Sequence, residues 1–280
     1  MADTNIPSVR EAPFPQTNDG VPSLSLRGVS KSFGAVRALT DVDFEVFPGE
    51  VVGLVGDNGA GKSTLIKAIA GVGPADTGEI FVDGQSVRIT SPQIANNLGI
   101  ETVYQDLALC DNLDVVANLF LGREDHSFLR SLDEAQMEYR TLEVLHTLDV
   151  KLPSARALVA ALSGGQRQSI AVAKCILRKA KVVLLDEPTA ALGVAQTKQV
   201  LALIRRLREQ GLAVVVISHN LADVFEVVDR VIVLRLGRRV ASFDIKNTTP
   251  ERVIASITGA EFGGLMSAEE SNGNGHEGGK

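Results

Sequence analysis

A five-residue apolar run, Val51 to Val55, passes directly into Gly56-Asp57-Asn58-Gly59-Ala60-Gly61-Lys62-Ser63, and a helix-like run from Thr64 through Leu65, Ile66 and Ile69 follows. The octapeptide fits the spacing G-x-x-x-x-G-K-[ST] of a phosphate-cradling loop. Its glycines let the backbone curl until successive N–H groups face one anion, and the new helix adds its positive N-terminal end. Lys62 can reach the β- and γ-phosphates of a nucleotide, and the Ser63 hydroxyl can ligate Mg²⁺. A glycine-rich turn that merely contains Lys-Ser is the competing reading. The strand before the loop and the helix after it count against that reading. Gly56, Asp57, Asn58, Gly59, Ala60, Gly61, Lys62, Ser63 and Thr64 are therefore candidate ATP contacts.

Val182-Val183-Leu184-Leu185-Asp186-Glu187-Pro188 supplies a second half-site. Four apolar residues make a buried strand, and Asp186 emerges at its C-terminal end, where ligands bind in open α/β sheets. There it can hold Mg²⁺, directly or through water. Glu187 comes next, placed to take a proton from the water that attacks the γ-phosphate. An apolar strand ending in Asp-Glu is common by itself. Paired with the loop, it implies ATP hydrolysis.

The remaining pattern is that of an α/β protein. Leu24-Ser25-Leu26 and Val42 to Val46 alternate as half-buried strands, and Ile80-Phe81-Val82 turns on Asp83-Gly84, a two-residue hairpin signal. From Ser91 to Leu162 the pattern is mostly helical, with Leu142, Leu145 and Leu148 at helical spacing. Strands and helices then alternate: Val182 to Leu185, Thr197 to Arg208, Ala213 to Ile217, Leu221 to Val228 and Val231 to Leu234. Such alternation implies a mostly parallel sheet covered on both faces, with an antiparallel β-subdomain and an inserted helical subdomain over about residues 92–178. Arg205, Arg206 and Arg208 read as the wet face of a helix whose Leu203, Ile204 and Leu207 face inward.

Composition narrows the partners. Of 280 residues, 28 are basic and 34 acidic, a net charge of −6 that argues against nucleic acid, whose binding draws on phosphate neutralisation. With 10 Phe, 2 Tyr and no Trp, a base-stacking platform is also disfavoured. No stretch approaches the roughly 18 consecutive apolar residues of a membrane span, so the chain is not expected to form a pore itself. Met1 to Pro22 carries Asp3, Glu11, Asp19 and four prolines, which is no secretory signal. This segment and the Gly-, Glu- and Asn-rich residues 263–280 are expected to be disordered tails. Cys110 and Cys175 lie far apart with no metal-spaced histidine, which implies free thiols in a reducing, cytoplasmic compartment.

Leu162-Ser163-Gly164-Gly165-Gln166 is a helix start in which Ser163 can cap and Gln166 can complete a capping box. Its exposed N–H groups and positive dipole end form a second phosphate site, for which one chain has no evident second nucleotide. The economical explanation is that Ser163, Gly164, Gly165 and Gln166 face the γ-phosphate of ATP held by another subunit.

At this point the sequence resembles the ATP-binding-cassette (ABC) ATPases, whose signature is LSGGQ. The resemblance covers about residues 23–262, and the motifs occur in the family's order: Phe33, the loop at 56–63, Gln105 in VYQD, LSGGQ at 162–166, VVLLDEP at 182–188 and His219 in VISHN. It implies that Phe33 stacks on adenine, although a core Phe beside a turn would look the same. It implies that Gln105 touches Mg²⁺ or the attacking water and begins the loop that senses a membrane partner, and that His219 contacts the γ-phosphate. Gly193 stands where most members place an Asp in a loop crossing the dimer interface, which suggests a catalytically weak regulatory cassette as one alternative. His126, His146 and His276 match no motif and are expected to be solvent-exposed.

Residues 104–124, 186–197 and 218–241 look like the branch of single-cassette bacterial monosaccharide importers, for ribose, xylose, galactose or fructose. The resemblance then implies a homodimer of cassettes at the cytoplasmic face of the membrane. It would be held there by a multi-span permease and served by a periplasmic or extracellular sugar-binding protein. A soluble ABC ATPase of translation, repair or cluster assembly would share every nucleotide motif, but coiled-coil insertions and a second cassette are both missing. A GTPase is disfavoured because no Asn-Lys-x-Asp occurs.

Overall fold

Two hydrophobic cores lie on either side of one central sheet, and the alternation of side chains along its strands explains why. The computed structural model describes residues 20–126 and 131–260. The tail expectations therefore fall almost wholly outside the described residues, as does His276. The central sheet contains β3 (Val51–Gly56), β6 (Ile100–Val103), β7 (Val182–Asp186), β8 (Ala213–Ile217), β9 (Arg230–Arg235) and β10 (Arg238–Asp244). Their order is β10-β9-β3-β8-β7-β6, with all neighbours parallel except the antiparallel edge pair β9–β10. Val51, Val55, Val183, Leu185, Val214 and Val216 enter one core, and Val52, Leu54, Val182, Leu184, Val215 and Ile217 enter the other. Strands buried on both faces read as unbroken apolar runs, as these do.

The second core is closed by an antiparallel sheet and one helix. That sheet, ordered β2-β1-β4-β5, comprises β1 (Leu24–Phe33), β2 (Val36–Val46), β4 (Thr77–Val82) and β5 (Gln85–Val87). Its turn Asp83-Gly84 has φ of 49° and 76°, the doubly left-handed geometry of a tight hairpin. Helix α1 (Lys62–Ile69) buries Leu65, Ile66, Ala68 and Ile69. The first core is closed by α3 (Val115–Phe120), α4 (Glu134–Thr147), α5 (Gly164–Leu177), α6 (Val194–Glu209) and α7 (Leu221–Val227). The remaining helices are α2 (Pro92–Asn97) and α8 (Pro250–Thr258).

Two expectations are corrected, and one strand carries too little signal to be read from sequence. The span 92–178 is not all helical insertion, because Ile100–Val103 forms β6 at the edge of the central sheet. Its inner Glu101 disguises it, and the Arg178 guanidinium 3.0 Å from that carboxylate makes the burial tolerable. In α4 the inward stripe is Met137, Thr141, Val144 and Leu145, continued by Leu148, whereas Leu142 is 52% exposed. Strand β10 went unread because its Arg-Arg start and half-buried residues carry little apolar signal. Such polarity suits an edge strand.

Candidate active site

Parallel strands β3, β8 and β7 lie side by side, so the segments leaving their C-terminal ends emerge along one edge of the sheet. From β3 comes the Gly56–Ser63 loop, from β8 comes Ser218-His219, and from β7 come Asp186 and Glu187. Strand β6, next to β7, delivers Tyr104-Gln105 to the same edge. Gln105 is exposed there.

Backbone geometry makes the loop glycine-dependent at two positions. At Gly56, with φ of 154°, a Cβ would fall 2.2 Å from the Leu234 carbonyl oxygen. At Gly61, with φ of 104°, it would fall 2.8 Å from that of Ala38. The Lys62 ammonium folds over the loop and donates to the carbonyl oxygens of Gly56, at 2.7 Å, and Asp57, at 3.0 Å. Burial lowers the pKa of Lys62, against the pull of Glu187, Asp57 and Asp186. Burial, then the Glu187 charge, pushes the Asp186 carboxyl above its ordinary range, with Lys67 and Lys62 opposing. Burial also raises Tyr104, with Asp186 as a lesser contributor in the same direction. The loop Lys62 and the Asp186–Glu187 end of β7 thus act on one another, and Asp186 acts on Tyr104 at the end of β6.

Glu187 takes a left-handed backbone, φ 51°, which a non-glycine residue adopts only at some cost. Its N–H donates to the Ile217 carbonyl oxygen at 2.9 Å, and its Oε2 lies 2.9 Å from His219 Nδ1. The Glu187 side chain is 19% exposed and that of His219 74%, so the pair spans the edge from half-buried carboxylate to open imidazole. Phe33 ends β1 and is 56% exposed, which removes the core-residue reading. Lys31 Nζ sits 5.5 Å from its ring centroid. The strand pair carrying Phe33 is stitched to the loop through the β9–β10 turn. Thr40 N–H donates to Gly237 O at 2.8 Å, and Gly237 N–H donates to Ala60 O at 3.0 Å.

The expected capping box is present. Gln166 N–H donates to Ser163 Oγ at 3.3 Å, and Ser163 N–H donates to Gln166 Oε1 at 3.0 Å. A Cβ on Gly164 would meet Leu192 at 2.9 Å, and one on Gly165 would meet Gln196 Cβ at 3.2 Å, so the glycines let α5 begin flush against α6. Ser163 and Gln166 border a cleft of about 300 Å³ together with Asp149, Lys151 and Arg206, and no phosphate-loop residue lines it. Gly193 caps α6 with extended backbone, its N–H bonded to Gln196 Oε1 at 3.2 Å. The arginines of α6 are wet but engaged: Arg205 pairs with Glu226, Arg206 with Asp149 and Arg208 with Asp229. Both cysteines are free, and burial pushes the Cys175 thiol up to about 12. His126 and His146 are exposed. Among the described residues no group of three His, Cys, Asp or Glu could by itself enclose a metal ion.

The family model described as ABC transporter matches residues 39–190, which include the loop, the Ser163–Gln166 cap and Asp186-Glu187. The chain belongs to the ABC transporter family. This cassette is 46% identical to the fructose import ATP-binding protein FrcA of Rhizobium meliloti, over 86% of this chain and 95% of that protein. It is 43% identical to the xylose/arabinose import ATP-binding protein XylG of Sulfolobus acidocaldarius, over 88% and 98% respectively. Its fold matches the crystal structure of a nucleotide-free ATP-binding cassette from an ABC transporter, with a TM-score of 0.71 and 25% identity over 80% of this chain and 91% of the other. The cassette is thus an ATP-binding, ATP-hydrolysing α/β protein. Its described helices include none long and apolar enough to cross a membrane.

Sequence reasoning missed two contributors to the site's geometry. One is the Gly237 turn, and the other is a hydrogen bond from Thr189 Oγ1 to Asp223 Oδ2 at 2.7 Å. Neither belongs to a contiguous motif. Each is a pairing of segments distant in the chain.

Proposed function

We propose that this chain is the ATPase subunit of a sugar importer and that Glu187 is its general base. The observation that carries the reading is the delivery of Gly56–Ser63, Asp186, Glu187 and His219 to one sheet edge, with Glu187 within 2.9 Å of His219. The loop N–H groups and Lys62 bind the triphosphate, and Phe33 offers an exposed ring to adenine. Ser63 and Asp186 would hold a divalent cation: both are oxygen donors, and the cation would offset the burial and neighbouring negative charge that hold the Asp186 carboxyl above its ordinary range. Mg²⁺ bound there would neutralise the phosphate charge that develops during transfer. Gln105 would complete its surroundings. Glu187 accepts the proton of the attacking water, and His219 contacts the γ-phosphate.

Two copies sandwich two ATP molecules in this reading, each between one chain's phosphate loop and the other's Ser163–Gln166 cap. No residue of the chain's own 56–63 loop lines the cleft that this cap borders, which supports the pairing. Closure drives a separate multi-span permease from the cytoplasmic face of the membrane, and a sugar-binding protein delivers a monosaccharide such as those named for the two relatives. Glu187→Gln tests the base directly. We expect it to bind ATP as the parent does, to hydrolyse it about 10²–10⁴-fold more slowly, and to elute as an ATP-dependent dimer. Turnover at the parent rate would remove Glu187 from its role. Recovery of the cassette in detergent with a multi-span membrane protein tests the assembly.

A further inference from the structure

We infer that Thr189 and Asp223 are positioning residues that set the separation of Glu187 and His219. The inference rests on the role proposed above for that pair. Glu187 and His219 sit on different segments, one leaving β7 and one leaving β8, and each segment continues into a loop or helix of its own. The segment after Glu187 is conformationally costly, since both Glu187 and Ala191 have left-handed backbones, with φ of 51° and 59°. Something outside the segment must hold it.

The Thr189–Asp223 hydrogen bond does so. Thr189 is 9% exposed, and its hydroxyl donates to Asp223 in the first turn of α7 at 2.7 Å. The start of α7 is in turn locked to His219's segment. Asn220 N–H donates to the Ser218 hydroxyl at 3.0 Å, and Ala222 N–H donates to Asn220 Oδ1 at 3.1 Å. Ser218 is 2% exposed, so this anchor is fixed in the core. Thr189, Asp223, Glu187 and His219 all line one cleft of about 470 Å³. Besides the Glu187 N–H bond to the Ile217 carbonyl oxygen at the strand ends, side chains join the two segments across the cleft at the Glu187–His219 contact and at the Thr189–Asp223 bond. The second contact is a brace for the first. Because a carboxylate acceptor strengthens a hydroxyl donor's bond, the brace is stiffer than a neutral pair would be.

The test uses the full chain with Mg²⁺ and ATP. Thr189→Val, which keeps the shape and deletes the donor, should lower kcat about ten- to a hundred-fold, as expected for a misplaced catalytic group, with KM for ATP within about two-fold of the parent. Thr189→Ser should restore kcat. Asp223→Ala should match Thr189→Val, and Asp223→Asn, which keeps an acceptor oxygen, should stay near the parent. In the nucleotide-free chain, the Hε1 proton resonance of His219 should shift in Thr189→Val and return in Thr189→Ser, while those of His126 and His146 stay put. Parent-level kcat in Thr189→Val, an unmoved His219 resonance, or equal shifts at His219, His126 and His146 would overturn the brace. If Thr189→Val fails to fold by circular dichroism, the contrast between Asp223→Ala and Asp223→Asn decides instead, and equal kcat in those two overturns it. Parent-rate turnover in Glu187→Gln would instead sink the assignment of the base, and leaves the resonance test of the brace standing.

Discussion

Asp186, proposed above as a ligand of Mg²⁺, works against the fold that carries it. Its carboxyl titrates above the ordinary range in the folded chain because burial and Glu187 disfavour its charge. The sign follows from linkage. Well below the carboxylate range Asp186 is protonated in both states and contributes nothing. As pH rises, the unfolded chain releases this proton more readily, so the nucleotide-free fold loses stability. Asp186→Asn has no proton to lose. It should melt above the parent near neutral pH, with the gap closing as pH is lowered from neutral toward the ordinary Asp range at about 4, while Mg²⁺-dependent ATP hydrolysis collapses. Thermal melts across that window, beside an ATPase assay, check both halves, and a gap that widens on acidification would contradict the argument. Phe33 makes the complementary point: its aromatic ring is 56% exposed, so more than half of it stays in water rather than in a core.

Elements were legible wherever the local pattern and the tertiary environment agreed. Helix α5 announced its start through Ser163 and Gln166, and both reciprocal hydrogen bonds formed. Strand β3 was readable as five consecutive apolar residues because both of its faces are covered. Strand β6 was not, since four residues that include Glu101 make a strand only beside β7 and with Arg178 to meet the carboxylate. Helix α4 lay between these cases, for its existence was readable but its inward face was not. Periodicity counted Leu142 with Leu145 and Leu148, whereas packing against the other helices selected Met137, Thr141, Val144 and Leu145. Leu145→Ala should therefore cost about 2–5 kcal/mol, and Leu142→Ala should stay within about 0.5 kcal/mol of the parent. Urea unfolding of the full chain separates them, and equal costs would mean that the helix face is misassigned.

The whole molecule is organised around one sheet with two cores, and the second core joins both sheets. Phe44, Leu24 and Ile80 of the antiparallel sheet pack in the same cluster as Leu54, Leu184 and Ile217 of the central sheet and Leu65 of α1. Phe44→Ala should consequently cost about 3–5 kcal/mol, and ATP binding and helical circular dichroism should be lost in one coincident transition. Separate transitions would show that the antiparallel sheet unfolds on its own. By itself, the sequence determined whatever is contiguous: a phosphate loop between a strand and a helix, a capped helix start, an acidic pair ending a buried strand. Those are local because a turn, a cap or a strand end is built from neighbouring residues. Only the tertiary structure decided that segments ending at Ser63, Gln105, Glu187 and His219 meet along one edge. Parallel pairing in the order β3-β8-β7-β6 differs from chain order. Chain spacing carries no record of that order, and the Thr189–Asp223 brace and the Gly237 stitch exist only because of it.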